Sequence, residues 1–125
     1  MAKEAKKSGK KNLPKAFVAF GKRHGEVAGA YEALASACHE AGPLTERERS
    51  LVKLAIAVGM RHEGAVHAQV RKGLETGIEP EAMRHVALLA LTTMGFPNMM
   101  AALTWMDDLL PEAEKAPRTK KKGKR

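Results

Sequence analysis

The chain has 125 residues, of which 44% are hydrophobic and 29% charged, and its net charge is +8. This suits one domain with a modest core, and it contains no apolar run long enough to span a bilayer. The opening MAKEAKKSGKK lacks the apolar stretch of a secretory signal, so a cytoplasmic protein is expected. Cys38 is the only cysteine, which rules out an internal disulfide and a two-cysteine redox cycle within one chain.

The charge sits at the two ends. Residues 1–15 carry +5 and residues 115–125 carry +7, which leaves −4 for the segment between them. The high pI therefore belongs to two lysine-rich segments, 1–12 and 113–125, expected to be disordered tails around a folded domain over residues 13–112. Such tails offer non-specific electrostatic contact to a nucleic acid or an anionic surface. With no aromatic ring in either run to stack on bases, specific nucleic-acid recognition is not expected.

Taken in chain order, the elements are helical. Leu13-Pro14 opens a helix carrying Phe17, Val18 and Phe20, which yields near His24-Gly25. A second helix over Glu26–His39 places Val27, Ala30, Tyr31, Leu34 and Cys38 at helical spacing and is stopped by Gly42-Pro43. Thr45 with Glu48 three residues on is a capping-box pattern. The helix it opens carries Leu51, Leu54, Ala55, Val58 and Met60, and a further helix follows directly from Arg61. Gly77 supplies a left-handed stop and Pro80 fits the first turn of the next helix. That helix, with Met83, Val86, Ala87, Leu89, Ala90 and Leu91, is apolar enough for both sides to be covered. Gly95 and Pro97 repeat the stop and start before a Met-rich last helix that ends near Pro111. The expectation is an all-α, compact domain of about six helices, completed by oligomerisation. The last helix is the candidate oligomer surface, unless Met94, Met99, Met100 and Met106 fill gaps in the core.

The stretch RHEGAVHAQVRKGLETG, residues 61–77, carries the chemistry. Glu63 and His67 stand four residues apart on one helix face, where a carboxylate and an imidazole can meet. A histidine exchanges protons near neutral pH, and an adjacent carboxylate orients it and stabilises its charged form. His62 lies about 100° around the helix from Glu63 and need not share the site. The run H-E-G-A-V-H is one residue too long for the H-E-x-x-H zinc pattern, so two ligands at most come from this face and no metal site is expected. His24, His39 and His85 are scattered. No Gly-rich phosphate loop, nucleotide fingerprint or Ser-His-Asp order is present.

The segment LTERERSLVKLAIAVGMRHEGAVHAQVRKGLETGIEPEAM, residues 44–83, resembles the carboxymuconolactone decarboxylase and alkylhydroperoxidase D-like superfamily, and the likeness extends through Gly95 and Pro97 to Leu110. The shared pattern is an L-T-x-x-x-R-x-L-V opening, an apolar helix, a short polar motif and a glycine turn into the next helix. The resemblance implies an all-α fold assembled as trimers or hexamers. In the peroxidase branch this helix carries C-x-x-C-x-x-x-H, with a glutamate on the preceding helix. Aligned on Gly77, the cysteine positions hold His62 and Ala65, the histidine position Gln69 and the glutamate position Ser50. Thiol chemistry by that route is missing, since it needs a thiolate and a resolving thiol.

Glu63 and His67 instead match the cysteine-free branch of the superfamily. Its resemblance implies a cofactor-free acid/base enzyme on a small carboxylated or lactone-like compound, with His67 as general acid/base and Glu63 as its orienting partner. Arg49, Arg71 and His62 are the substrate-binding candidates; the two arginines match basic positions of the family and suit a substrate carboxylate. This reading expects Glu63 and His67 to meet in a sheltered pocket. Two alternatives stand beside it: a non-catalytic oligomeric scaffold with basic tails, and a peroxidase acting through Cys38.

Overall fold

A computed structural model describes residues 13–112; the lysine-rich segments 1–12 and 113–125 lie outside the described residues. The described residues form six helices of nine or more residues and one of four: α1 (Lys15–Arg23), α2 (Gly25–Glu40), α3 (Glu46–Gly59), α4 (Glu63–Glu75), α5 (Pro80–Leu89), α6 (Leu91–Met94) and α7 (Phe96–Asp107). No strand occurs among them, as the absence of alternating patterns implies.

Local chemistry sets the boundaries. Thr45 Oγ1 accepts the Glu48 amide at 3.1 Å while Glu48 Oε1 accepts the Thr45 amide at 2.9 Å, so the capping box expected at the start of α3 is complete. The exit of α4 is a Schellman motif. Gly77 takes φ 85°, its amide reaches Leu74 O at 3.2 Å, and the Ile78 amide reaches back to Gly73 O at 2.8 Å, bringing Ile78 into the core. Gly73 also allows close packing, because a Cβ there would stand 3.1 Å from Met83 Sδ on α5.

The α3–α4 junction differs from the sequence expectation. Arg61 adopts φ 57°, a left-handed conformation that a side chain other than glycine rarely takes, and α4 begins only at Glu63, with His62 as its N-cap. Arg61 is thus the hinge between two helices and not the start of the second.

The core lies between α3, α4, α5 and α7. Leu54, Ala57 and Val58 of α3 meet Val66 and Val70 of α4, Met83 and Ala87 of α5, and Met99, Ala102 and Met106 of α7, with Ile78, Ala90 and Leu110 closing the ends. Met99 and Met106 are buried gap-fillers, so most of α7 serves this core. Only one side of α5 is covered by the described residues: Leu88 and Leu89 are exposed. The expectation that both its sides are covered does not hold here.

The hairpin of α1 and α2 stands apart from that core. Neither helix has a buried residue, and Val27, Tyr31 and Leu34 form an exposed stripe along α2, flanked by Phe17 and Phe20 of α1. Two ion-pair clasps tie the core helices together. Arg47 of α3 grips Glu79 with both guanidinium nitrogens, at 2.8 and 3.1 Å, and this bond holds the Glu79 carboxyl below its usual range. Arg84 of α5 binds Asp107 at 3.0 Å and the Pro111 carbonyl, which fastens the end of α7.

Two substitutions separate these contributions in urea unfolding. Leu54→Ala removes a fully buried side chain and lowers stability by about 2–5 kcal/mol. Thr45→Ala removes one half of the capping box and costs about 1 kcal/mol.

Candidate functional site

Four residues gather on one flank of α4 and at the end of α7. Burial of Val66, Val70 and Gly73 fixes the rotation of α4, so that Glu63, His67 and Arg71, spaced four apart, run along a single edge of the core-facing side. His67 Nε2 lies 2.9 Å from Asp108 Oδ2 and 4.0 Å from Glu63 Oε2. The close carboxylate partner of the imidazole is therefore Asp108, with Glu63 second. Sequence reasoning missed Asp108, which is 41 residues from His67 and has no periodicity linking it to α4.

Asp108 is placed by its neighbours. Asp107 and Asp108 occupy the last turn of α7, where a helix dipole disfavours acidic side chains. Each is met by a base from another helix: Asp107 by Arg84 of α5 and Asp108 by His67 of α4. The Arg84 clasp thereby holds the turn that presents Asp108.

Glu63, His67 and Asp108 each point one ligand atom into a region where all three atoms lie within 4.8 Å of one another. One imidazole and two carboxylates are a donor set that a divalent cation accepts. Glu63 and His67, expected as an acid/base pair with no metal, supply two of these donors, and Asp108 supplies the third.

The other sequence candidates lie apart. His62 is engaged as the α4 cap, its Nδ1 accepting the Ala65 amide at 3.0 Å with the ring over Gly64. Arg49 is on α3, donates to Leu44 O at 2.8 Å, and opens into a cleft on the opposite flank of α4. Arg71 remains on the His67 edge, one turn further along. Ser50 and Gln69, aligned with the peroxidase relay positions, do come together, both lining the cleft that Arg49 enters. Cys38 is exposed on α2.

The sheltered pocket expected around Glu63 and His67 is not formed by the described residues. The two side chains meet, but Glu63 is 56% exposed and His67 24%, and neither of the two described concavities includes them. The larger, of about 380 Å³, is an apolar groove between α3 and α5 lined by Leu51, Val52, Val86 and Leu89. The other is the cleft that contains Arg49.

The model of the carboxymuconolactone decarboxylase family matches residues 25–108, from the start of α2 to the aspartate that meets His67. The chain belongs to this family. No curated protein and no solved structure gives a significant match. As a family member with a single cysteine, it has no C-x-x-C pair. No helix among the described residues is long and apolar enough to cross a membrane.

Across α4, the Lys53 ammonium donates to His39 Nε2 at 3.0 Å, which requires a neutral ring with its proton on Nδ1. Partial burial first, then the charges of Lys53, Arg49 and Lys72, hold the His39 pKa below 6.5, with Glu40 opposing. A base with a lowered folded-state pKa is protonated first in the unfolded chain, so its stabilising contribution is complete above pH 6.5 and declines as pH falls below it. Thermal melts should show a steeper loss between pH 6.5 and 5 for the wild type than for His39→Gln. Equal slopes would show that the His39 contact has no part in acid stability.

Proposed function

We propose that the protein is a carboxymuconolactone decarboxylase-like enzyme that moves protons on a small carboxylated or lactone-like compound without a bound cofactor. The observation that carries this reading is the 2.9 Å contact between His67 Nε2 and Asp108 Oδ2. In the proposed site Asp108 orients the imidazole, and His67 exchanges a proton with the substrate as general acid/base. Glu63 places a second carboxylate 4.0 Å from the same nitrogen. Arg71, on the same edge and without an ion-pair partner among the described residues, is the anchor for a substrate carboxylate.

Enclosure is proposed to come from further copies of the chain. The α2 stripe and the exposed side of α5 leave Tyr31, Leu34, Leu88 and Leu89 in water, and apolar surface gathered in this way marks an interaction face. A homo-trimer or hexamer would bury it and shelter the edge of α4. The scaffold reading draws on the same surface: a chain that only assembles also needs these faces, and it leaves His67 without a task.

Turnover decides between them. Screening against small lactones and keto acids should identify a substrate whose conversion His67→Gln abolishes, while Asp108→Asn lowers kcat by about 10²-fold or more and both variants keep wild-type helical content. Undiminished activity in His67→Gln would remove this histidine from the mechanism. For assembly, Tyr31→Glu with Leu34→Glu should lower the solution mass measured by light scattering to that of one chain; an unchanged mass would place the interface elsewhere.

A further inference from the structure

The cleft on the far flank of α4 is built around cations. It has a volume of about 210 Å³ and is lined by residues of α2, α3, α4 and Thr76. Arg49 and Lys53 enter from α3 and Lys72 from α4, with the neutral donors Ser50 and Gln69 between them. Gln69 and Lys72 stand about 140–160° around the helix from His67, so this is a different face from the proposed catalytic edge.

Three features set this group apart from ordinary surface charge. First, Arg47 and Arg84 are each clasped by carboxylates, whereas Arg49, Lys53 and Lys72, drawn into one concavity, have none within 4.0 Å among the described residues, although Glu46 and Glu75 border the same cleft. Second, the cations face each other. Partial burial of the Lys72 amine, and then the charge of Lys53, push it below the ordinary lysine range, even though Lys72 is exposed as a whole residue; Glu32 and Glu75 oppose this and Arg71 adds to it. Third, the lysine nearest to His39 donates to a neutral ring, which leaves its charge uncompensated. Like charges drawn into one concavity repel, and an anion between them turns that repulsion into attraction.

The geometry points to a binding site for a small oxyanion, the phosphate or carboxylate group of a small molecule, held by Arg49, Lys53 and Lys72 with Ser50 and Gln69 donating hydrogen bonds. The volume is below that of pockets which enclose drug-sized ligands, roughly 300–1,000 Å³, which suits a compact ion. No Phe, Tyr or Trp lines the cleft, and the one ring there, His39, is engaged by Lys53, so there is no free platform on which a nucleic-acid base would stack. The site does not depend on the proton-transfer reading, since it uses none of the groups on the His67 edge.

Isothermal titration of the full chain with inorganic phosphate and, separately, with succinate, at ionic strength held constant with sodium chloride, tests the site. At least one anion should bind saturably at one site per chain. Lys53→Met with Lys72→Met should weaken it at least tenfold, whereas Lys15→Met with Lys22→Met, which removes the same charge from α1, should leave it within twofold. Saturation by phosphate alone identifies a phosphate ligand, and saturation by succinate alone a carboxylate. A second measurement needs no variant: the saturating anion should slow reductive methylation of Lys53 and Lys72 several-fold relative to Lys22. No saturable binding, equal binding by the two double variants, or unprotected Lys53 and Lys72 would each overturn the proposal.

Discussion

The rotation of α4 about its own axis governs the chemistry of this protein. Val66 and Val70 are fully buried against the neighbouring helices, and Gly73 faces Met83 at a distance that leaves little space for a side chain. With that face fixed, no other residue on α4 has freedom of azimuth. Glu63, His67 and Arg71 must fall along one edge, and Ala65, Gln69, Lys72 and Thr76 along the other. A turn of one residue position, about 100°, would put His67 in the core and a valine in water. The apolar contacts of two valines thus position both sets of polar groups, and they do so without a hydrogen bond to any of them.

Much of this was legible from residue spacing because it is local. The capping box at Thr45, the glycine stop at Gly77, the proline starts and the i,i+4 relation of Glu63 to His67 each depend on contacts within one or two turns, and each is found as expected. What escaped were relations set by tertiary packing. Asp108 approaches His67 only because α7 crosses α4 and because Arg84 of α5 draws Asp107 to the other side of the same turn. The role of His62 as a cap also escaped, because a histidine seldom serves there and the left-handed Arg61 before it carries no glycine signal. Arg49 and Arg71 look equivalent in sequence, yet α3 carries the first to the opposite flank of α4 from the second.

The hairpin of α1 and α2 shows why helical pattern does not determine burial within one chain. Its apolar stripe is as regular as that of α3, yet none of its side chains is buried. A helix of that length gains most of its stability from packing its apolar face and little from propensity. Tyr31 and Leu34, more than half exposed, therefore lack the covering surface among the described residues that such a face needs. The same reasoning applies to Leu88 and Leu89 on α5. These faces stand outside the core helices, as does the α4 edge, where His67 is partly open to water.

Charge divides the two flanks of α4. On the His67 edge two acids, Glu63 and Asp108, converge on one imidazole, with Arg71 a turn away. On the other edge the bases converge, and the nearby carboxylates do not close on them. The imidazole on that edge already has a hydrogen-bond partner in Asp108. An ammonium and a guanidinium facing each other are suited instead to receiving a charge they lack. The first arrangement has its partners among the described residues and the second gains one only with an anion, so one helix presents a paired imidazole on one side and converging cations on the other, with the buried valines between them as the common support.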